Sequence, residues 1–170
     1  MSRFAILFMA LLLASCAGRP QFAPACPVPG LVKPLSELTR YRNGVPDIGQ
    51  LVIQARIADI QGSCKPGEAG AIAVSARVAI DAMRGPAMTG RVYELPVFVA
   101  VTDAQGVRDK VIYNVKLEFP ANIDRVAATS PEIAMSLPVT QQKSGAAYGI
   151  VAGFQVTPDE REALRRGRRP

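Results

Sequence analysis

Apolar and polar residues alternate along most of the chain from residue 50 onward, in runs bounded by glycine, proline, asparagine or aspartate. A period of two residues places every second side chain on one face, as in a β-strand that covers a core. The alternating apolar positions are Leu51, Ile53, Ala55 and Ile57 in the first run, Ile72, Val74, Ala76, Val78 and Ile80 in the second, and Val97, Val99 and Val101 in the third. No helical pattern separates the runs, so the sequence predicts an all-β fold. We expect a single antiparallel β-sandwich of immunoglobulin-like build with roughly six to eight strands, a small barrel being the alternative.

The third run and the next one form a predicted hairpin, with strands at 92–102 and 110–119 and a turn at 103–106. Pro96 is expected at a sheet edge or a bulge, because proline has no N–H to donate to a neighbouring strand. Phe98 lies opposite the valines and is a candidate exposed aromatic. The expected inward positions of the return strand are Val111, Tyr113, Val115, Leu117 and Phe119. Two further runs, 133–139 and 148–156, complete the predicted strands.

A short helix is predicted after the last strand. Thr157, Pro158 and Glu160 place a hydroxyl at the N-cap, a proline at the first helical position and a glutamate at the third, which is a capping box. We expect Gly167 to end this helix. Arginines at 165, 166, 168 and 169 make the end of the chain basic. This tail either meets anionic lipid headgroups or an acidic partner, or is solvated.

The first residues of the chain have the pattern of an export signal. An apolar run at 4–13 is too short to span a bilayer, and the sequence LASC follows at 13–16. LASC resembles the lipobox of bacterial lipoproteins. The resemblance implies removal of residues 1–15 and acylation of Cys16, which would anchor the protein in a membrane. Ala17 stands where an aspartate would retain the protein at the inner membrane, so we expect the periplasmic face of the outer membrane. An ordinary cleaved signal peptide, in which Cys16 has no role, is the alternative.

Proline marks the segment between this signal and the strands. Five prolines fall within residues 17–34 and favour extended backbone, so the segment is predicted to be a tether. Residues 33–42 predict either one helical turn or an irregular edge segment. The chain then divides into a signal peptide (1–15), the acylated cysteine and tether (16–34), the sandwich (35–157), and the helix with its basic tail (158–170).

Three segments resemble a group of uncharacterised lipoproteins of alphaproteobacteria. They are IADIQGSC at 57–64, LEFP at 117–120 and GFQVTP at 153–158, and the resemblance spans most of the mature chain. It implies an envelope lipoprotein with an all-β domain. It carries no known activity and lends no ligand or catalytic residue.

The two cysteines other than Cys16 are expected to pair. In an oxidising compartment, Cys26 and Cys64 most simply form a disulfide that joins the tether to the domain. Two free thiols are the alternative.

Composition narrows the function classes. Lys and Arg outnumber Asp and Glu by 20 to 14, but four arginines lie at the C-terminus, so the body is nearly neutral and a nucleic-acid partner is not expected. The chain has no histidine, which removes the parts of a Cys–His nucleophile and of most zinc sites. Ser130 and the glycine-rich loops match no catalytic or phosphate-binding motif. We therefore predict no enzyme, cofactor or metal.

Arg40, Tyr41 and Arg42 are the candidate partner-binding residues, because arginine and tyrosine are enriched at binding hot spots. A solvated strand edge is the alternative reading of these three residues. Phe22, Tyr93 and Phe98 are weaker candidates.

The sequence thus favours a non-enzymatic interaction or scaffold module, an accessory subunit of a cell-envelope complex that could take a partner strand on an exposed edge. The alternative is a module that binds a glycan, peptidoglycan or lipid. A hydrolase is the least favoured reading.

Overall fold

In the part of the chain that the structure describes, two β-sheets pack face to face and a helix follows the last strand. The computed structural model describes residues 25–44, 46–68 and 70–166. The predicted signal at 1–15, the lipidation site Cys16, Phe22 and the last arginines lie outside the described residues. The all-β sandwich predicted from the alternation is confirmed.

The described residues form nine strands and one α-helix, together with four short 3₁₀ helices. The strands are β1 (Val28–Leu31), β2 (Glu37–Tyr41), β3 (Leu51–Pro66), β4 (Ala71–Arg84), β5 (Val92–Asp103), β6 (Gly106–Glu118), β7 (Arg125–Thr129), β8 (Ile133–Pro138) and β9 (Gly149–Phe154). The α-helix is α1 (Pro158–Arg166), and the 3₁₀ helices are Lys33–Leu35, Arg42–Gly44, Ile48–Gln50 and Gly145–Ala147.

Sheet A has the strand order β1-β9-β5-β6, and sheet B has the order β2-β3-β4 followed by β7 and β8. All described pairs are antiparallel except β1 with β9, which run parallel. The prediction of an antiparallel sandwich therefore holds for every pair but this one.

β7 and β8 lie end to end along the same edge of β4. Ser130 bridges the gap between them, because its backbone N–H donates to Val78 O at 2.9 Å and its hydroxyl accepts from Val78 N at 3.0 Å. The same hydroxyl donates to Pro131 O. Ser130 is 5% exposed, so its buried polar atoms are satisfied by the backbone of the sheet.

The core lies between the sheets and is built from the predicted alternation. Ile53, Ile72 and Val78 are almost fully buried, as are Phe119 and Phe154. One predicted face is only partly covered: Val115 and Leu117 in β6 are buried, but Val111 is 38% exposed and Tyr113 is half-buried. This part of the face borders a cleft that separates β6 from β8 of sheet B.

Pro96 is not at a sheet edge, because β5 lies between β9 and β6. It pairs with Asn114 of β6, and on the other side its C=O accepts from Gln155 N just after β9 ends. The register shift in β5 lies between Val101 and Thr102, away from the proline. An interior strand accepts proline here because its missing N–H faces Gln155, one residue beyond the end of β9.

The N-terminal part of the described chain is integrated into the sandwich. Residues 28–31 form β1 within the segment predicted as a tether, so the folded domain begins before residue 35. Of the two alternatives for 33–42, the edge segment is the one found: residues 37–41 form the edge strand β2, with a register shift after Arg40, and a 3₁₀ turn lies just before it at Lys33–Leu35. The predicted Cys26–Cys64 disulfide is present, with 5.7 Å between the Cα atoms. It joins the start of β1 to β3.

The predicted helix and its capping box are also present. Thr157 N donates to Glu160 Oε2 at 2.7 Å, and Glu160 N donates to Thr157 Oγ1 at 3.2 Å. The cap fixes where α1 leaves the end of sheet A.

Candidate interaction surface

The edge strands β1 and β2 form one flank of the sandwich, which we call the closed flank. The chain crosses there from sheet A to sheet B through residues 32–36. In sheet A, Val32 N donates to Ala152 O at 3.0 Å, and in sheet B, Ser36 O accepts from Ile57 N at 2.8 Å. With the disulfide, these contacts leave little of either edge available to another chain.

Arg40 fastens β2 of the closed flank to α1. Its Nε donates to Glu160 Oε1 at 2.8 Å, and its Nη1 donates to the Tyr93 hydroxyl at 3.0 Å. Its Nη2 lies 3.4 Å from Gln155 O, the carbonyl that would otherwise receive the N–H that Pro96 lacks. The Arg40 side chain thus replaces a missing rung of sheet A while it pairs with the helix.

Burial and hydrogen bonding shift the pKa values of this ion pair in opposite directions. Burial by itself raises the pKa of Glu160, but hydrogen bonds from Arg40 and Thr157 outweigh it, and the pKa lies below its ordinary value. Burial lowers the pKa of Arg40, yet hydrogen bonds to Glu160 and Tyr93 hold that pKa above its ordinary value. Both groups are charged at neutral pH.

The three predicted partner-binding residues therefore have different surroundings. Arg40 is engaged within the protein. A register shift in the β2–β3 pairing separates it from Tyr41, which is half-buried. Arg42 is exposed, and its Nη2 donates to Ala87 O in the β4–β5 loop. A partner-binding role stays a prediction for Tyr41 and Arg42, whereas the Arg40 guanidinium has little freedom to meet a second molecule.

The opposite flank is formed by β6, β7 and β8, and we call it the open flank. β6 is 13 residues long and, in the part of the chain that the structure describes, pairs with β5 alone. Since Pro96 directs its C=O toward β9, its partner Asn114 must direct its own N–H and C=O away from β5. The same holds for Ile112, two residues earlier. β6 thus presents backbone donors and acceptors to the free edge.

Apolar side chains accompany these backbone groups. Ile112 is 52% exposed and Val107 66%. Phe98 lies beside Ile112 on the outer face of sheet A, but it is only 6% exposed and the Lys110 ammonium lies 4.4 Å from its ring centroid. The expectation that Phe98 is exposed is wrong, because Lys110 and Gly153 enclose its ring.

A cleft of about 500 Å³ opens between β6 and β8 on this flank. Its apolar walls come from both sheets and from the loop before β9. The lining residues are Val101, Arg108, Asp109, Val111, Ala134, Met135, Ser136, Leu137, Pro138, Lys143 and Tyr148. The cleft is apolar at its base and charged at one end.

Asp103 organises the charged end. Its carboxylate is 1% exposed and accepts from Lys143 Nζ at 2.7 Å and from Arg108 Nε at 2.6 Å. The hydrogen bond from Lys143 has the largest effect and lowers the pKa of Asp103; burial opposes it and Arg108 adds to it, so the pKa lies far below its ordinary value. Lys143 also lies 4.2 Å from the ring centroid of Tyr148. The cluster fixes the β5–β6 turn against the loop before β9.

Two adjacent apolar residues in the sequence mark the open flank. Val111 and Ile112 are adjacent, so they must point to opposite faces of β6, and one of them cannot enter the core. Such a break in the alternation indicates either an exposed apolar residue or a covered outer face. The position of the cleft depends on how β6 and β8, which are in different sheets, lie relative to each other, and no local pattern shows this.

No family model matches this chain, and neither a curated protein nor a solved structure shows significant similarity to it. Within residues 25–44, 46–68 and 70–166, no group of three or more acidic, cysteine or histidine side chains is arranged to hold a metal ion. The described helices include none with the length and apolar character needed to cross a membrane.

Proposed function

We propose that this chain is a non-enzymatic interaction module, an accessory subunit of a cell-envelope complex held at the periplasmic face of the outer membrane by lipid on Cys16. Its partner is an envelope protein that contributes an extended segment to the open flank. The observation that carries the proposal is the free edge of β6, where outward-directed backbone groups at Ile112 and Asn114 lie beside exposed apolar side chains.

The other described edges are poor docking sites by comparison. β1 has four residues and includes Pro29, β7 has five residues, and β8 has six and ends at Pro138. β2 is engaged with α1 through Arg40. β6 offers the longest edge, although Asp109 already accepts the N–H of Lys110 at 2.8 Å. The available stretch therefore centres on Ile112 and Asn114.

The backbone of β6 and the cleft beside it determine which kind of partner segment would fit this edge. A strand paired with β6 would direct alternate side chains toward the cleft, where Val101, Met135 and Leu137 form apolar walls. We therefore expect a segment with apolar residues at every second position. Its backbone would supply most of the affinity, and the cleft would supply specificity.

The anchor would place this surface near the membrane. Val28 pairs with Gly149, and Gly149 pairs with Thr102, so the chain enters the sandwich at the same end as the β5–β6 turn. About ten tether residues between Cys16 and Cys26 would span about 30 Å in extended geometry. The first half of β6 would then face partners close to the same leaflet.

A single backbone change tests the proposal. Ile112→Pro removes an N–H that points to the free edge and leaves the β5–β6 ladder intact, while Ile112→Val keeps the N–H and most of the side chain. We expect a discrete, stoichiometric partner to copurify with the acylated wild-type and Ile112→Val proteins after crosslinking in cells, and to be lost with Ile112→Pro. Retention of that partner by a folded Ile112→Pro protein would refute docking at β6. Recovery of lipid or glycan in place of a protein would favour the ligand-binding alternative.

A further inference from the structure

A second, polar cleft of about 730 Å³ lies at the end of the sandwich opposite the disulfide. It is formed by the β4–β5 and β6–β7 loops, far along both sheets from the β5–β6 turn and the loop before β9. Its lining residues are Arg84, Gly85, Pro86, Gly90, Arg91, Asn122 and Asp124. We call it the distal cleft.

Backbone hydrogen bonds hold the walls of the distal cleft in place. Arg84 N donates to Asp124 O at 2.9 Å, and Arg91 O accepts from Phe119 N at 2.8 Å, so each loop is tied to the other. Gly85 N donates to Val52 O at 2.9 Å. The site is thus preorganised, which reduces the entropy lost on binding.

Gly85 also presses directly against β3. A Cβ at this position would lie 2.1 Å from Leu51 O, so only glycine fits there. The opposite loop turns through Asn122, whose φ of 61° is left-handed. These two backbone features fix the shape of the cleft independently of any ligand.

The charged side chains of the distal cleft are not fully paired with one another, which leaves hydrogen-bonding groups for a ligand. Arg84 Nε lies 4.0 Å from Asp124 Oδ1, a loose pair in which the Asp124 side chain is 77% exposed. The Arg91 guanidinium makes no hydrogen bond or ion pair with the residues that the structure describes. Two guanidinium groups and one carboxylate therefore line one cleft without saturating each other.

We propose that the distal cleft binds an amino acid or peptide end that carries two carboxylates and one ammonium, the charge pattern of glutamate. Arg84 and Arg91 would each take a carboxylate through paired N–H donors, and Asp124 would take the ammonium. The ligand's net charge of −1 complements the +1 of these three side chains. The lining residues include no aromatic ring on which a sugar would stack.

This site is separate from the open flank and does not depend on it. It lies at the end of the domain that would be farthest from a lipid on Cys16, since Cys26 and the open end of β6 are at the opposite end. A ligand there would belong to the compartment around the domain and not to the leaflet that anchors it.

Saturation-transfer NMR on the full acylated protein in a neutral detergent tests the assignment, with L-glutamate as the observed ligand. Two competitors are added in turn. Glutarate has both carboxylates but no ammonium, and inorganic phosphate is an anion without a carboxylate. We expect glutamate to bind more tightly than either. Arg91→Gln should weaken glutamate binding about tenfold, the loss expected for a charged hydrogen-bonded contact. Asp124→Asn should abolish the preference for glutamate over glutarate.

The matched control is Arg77→Gln, an exposed arginine paired with Glu132 on the outer side of sheet B. Glutamate binding that is unchanged in Arg77→Gln and weakened in a fully folded Arg91→Gln supports the site. Absence of saturable binding, or equal binding by Arg91→Gln, overturns it. Phosphate that competes better than glutamate overturns the assigned ligand class.

Discussion

The closed and open flanks of the sandwich both end in edge strands. Only the edge strands of the closed flank are covered by other parts of the chain. On the closed flank, a disulfide, a sheet-to-sheet crossing and the Arg40–Glu160 pair occupy β1 and β2. On the open flank, β6 leaves Ile112 and Val107 in solvent beside an apolar cleft. Folded domains usually protect their edge strands, and the unprotected edge next to a cleft is the basis on which we propose a binding surface here.

A charged motif need not lie on a free surface. Arg40 belongs to the motif most typical of a hot spot, yet its guanidinium completes the end of sheet A and holds α1. Ile112 belongs to no motif, yet it marks the exposed edge.

Removing the disulfide should have the largest effect on the closed flank. We expect the Cys26→Ser/Cys64→Ser double variant to lose about 3 to 4 kcal/mol of unfolding free energy, since the bond closes a long loop in the unfolded chain. Urea unfolding of the oxidised wild type against the double variant measures this difference. A loss below about 1 kcal/mol would show that the crossing at 32–36 holds this flank without the bond.

Proline substitution distinguishes the interior of sheet A from its free edge. Ala100 directs its N–H toward β9, so Ala100→Pro should cost about 2 to 3 kcal/mol by leaving a buried carbonyl without its donor. Ile112→Pro should cost less than about 1 kcal/mol, because the lost N–H faces solvent. Equal losses in chemical unfolding would mean that the Ile112 N–H is part of the ladder.

Breaking the Arg40 contacts should loosen α1 from the closed flank. We expect Arg40→Ala to lose about 2 kcal/mol, because Glu160 and the Gln155 carbonyl would be left partly buried without their partner. Arg77→Ala, which removes an exposed pair with Glu132, should change stability by less than about 0.5 kcal/mol. Similar losses in the two variants would contradict the role assigned to Arg40.

Acid should weaken the same contact. The folded pKa of Glu160 lies below its ordinary value of 4.5, so its stabilisation is fully present above about pH 4.5 and is lost as the pH falls through the folded pKa. Glu160→Gln should therefore lose less stability than the wild type between neutral pH and this acid range. Asp103 is unchanged in both proteins, so the difference between the two pH profiles isolates Glu160. Parallel profiles would show that the pair contributes nothing that depends on ionisation.

Much of the fold could be predicted, because a long strand shows the alternation of apolar and polar residues within its own sequence. β3, β4 and β5 follow the alternation, and the capping box predicted the start of α1. The short strands β1 and β7 were missed, and β2 was predicted only as one of two alternatives, since four or five residues among prolines or arginines show no clear period. Their pairing is set by partners distant in sequence. The open flank was missed for the same reason, because it depends on which strands end at the edges of the two sheets.

We propose that partners dock on the open flank and not on the closed one. The most direct test places a photo-crosslinking amino acid at Ile112 or at Thr39, an exposed position in β2, in acylated protein within intact cells. We predict a discrete crosslinked species from position 112 that is absent from position 39 and competed away by unlabelled wild-type protein. Crosslinks of equal yield at both positions, or at position 39 alone, would contradict the account.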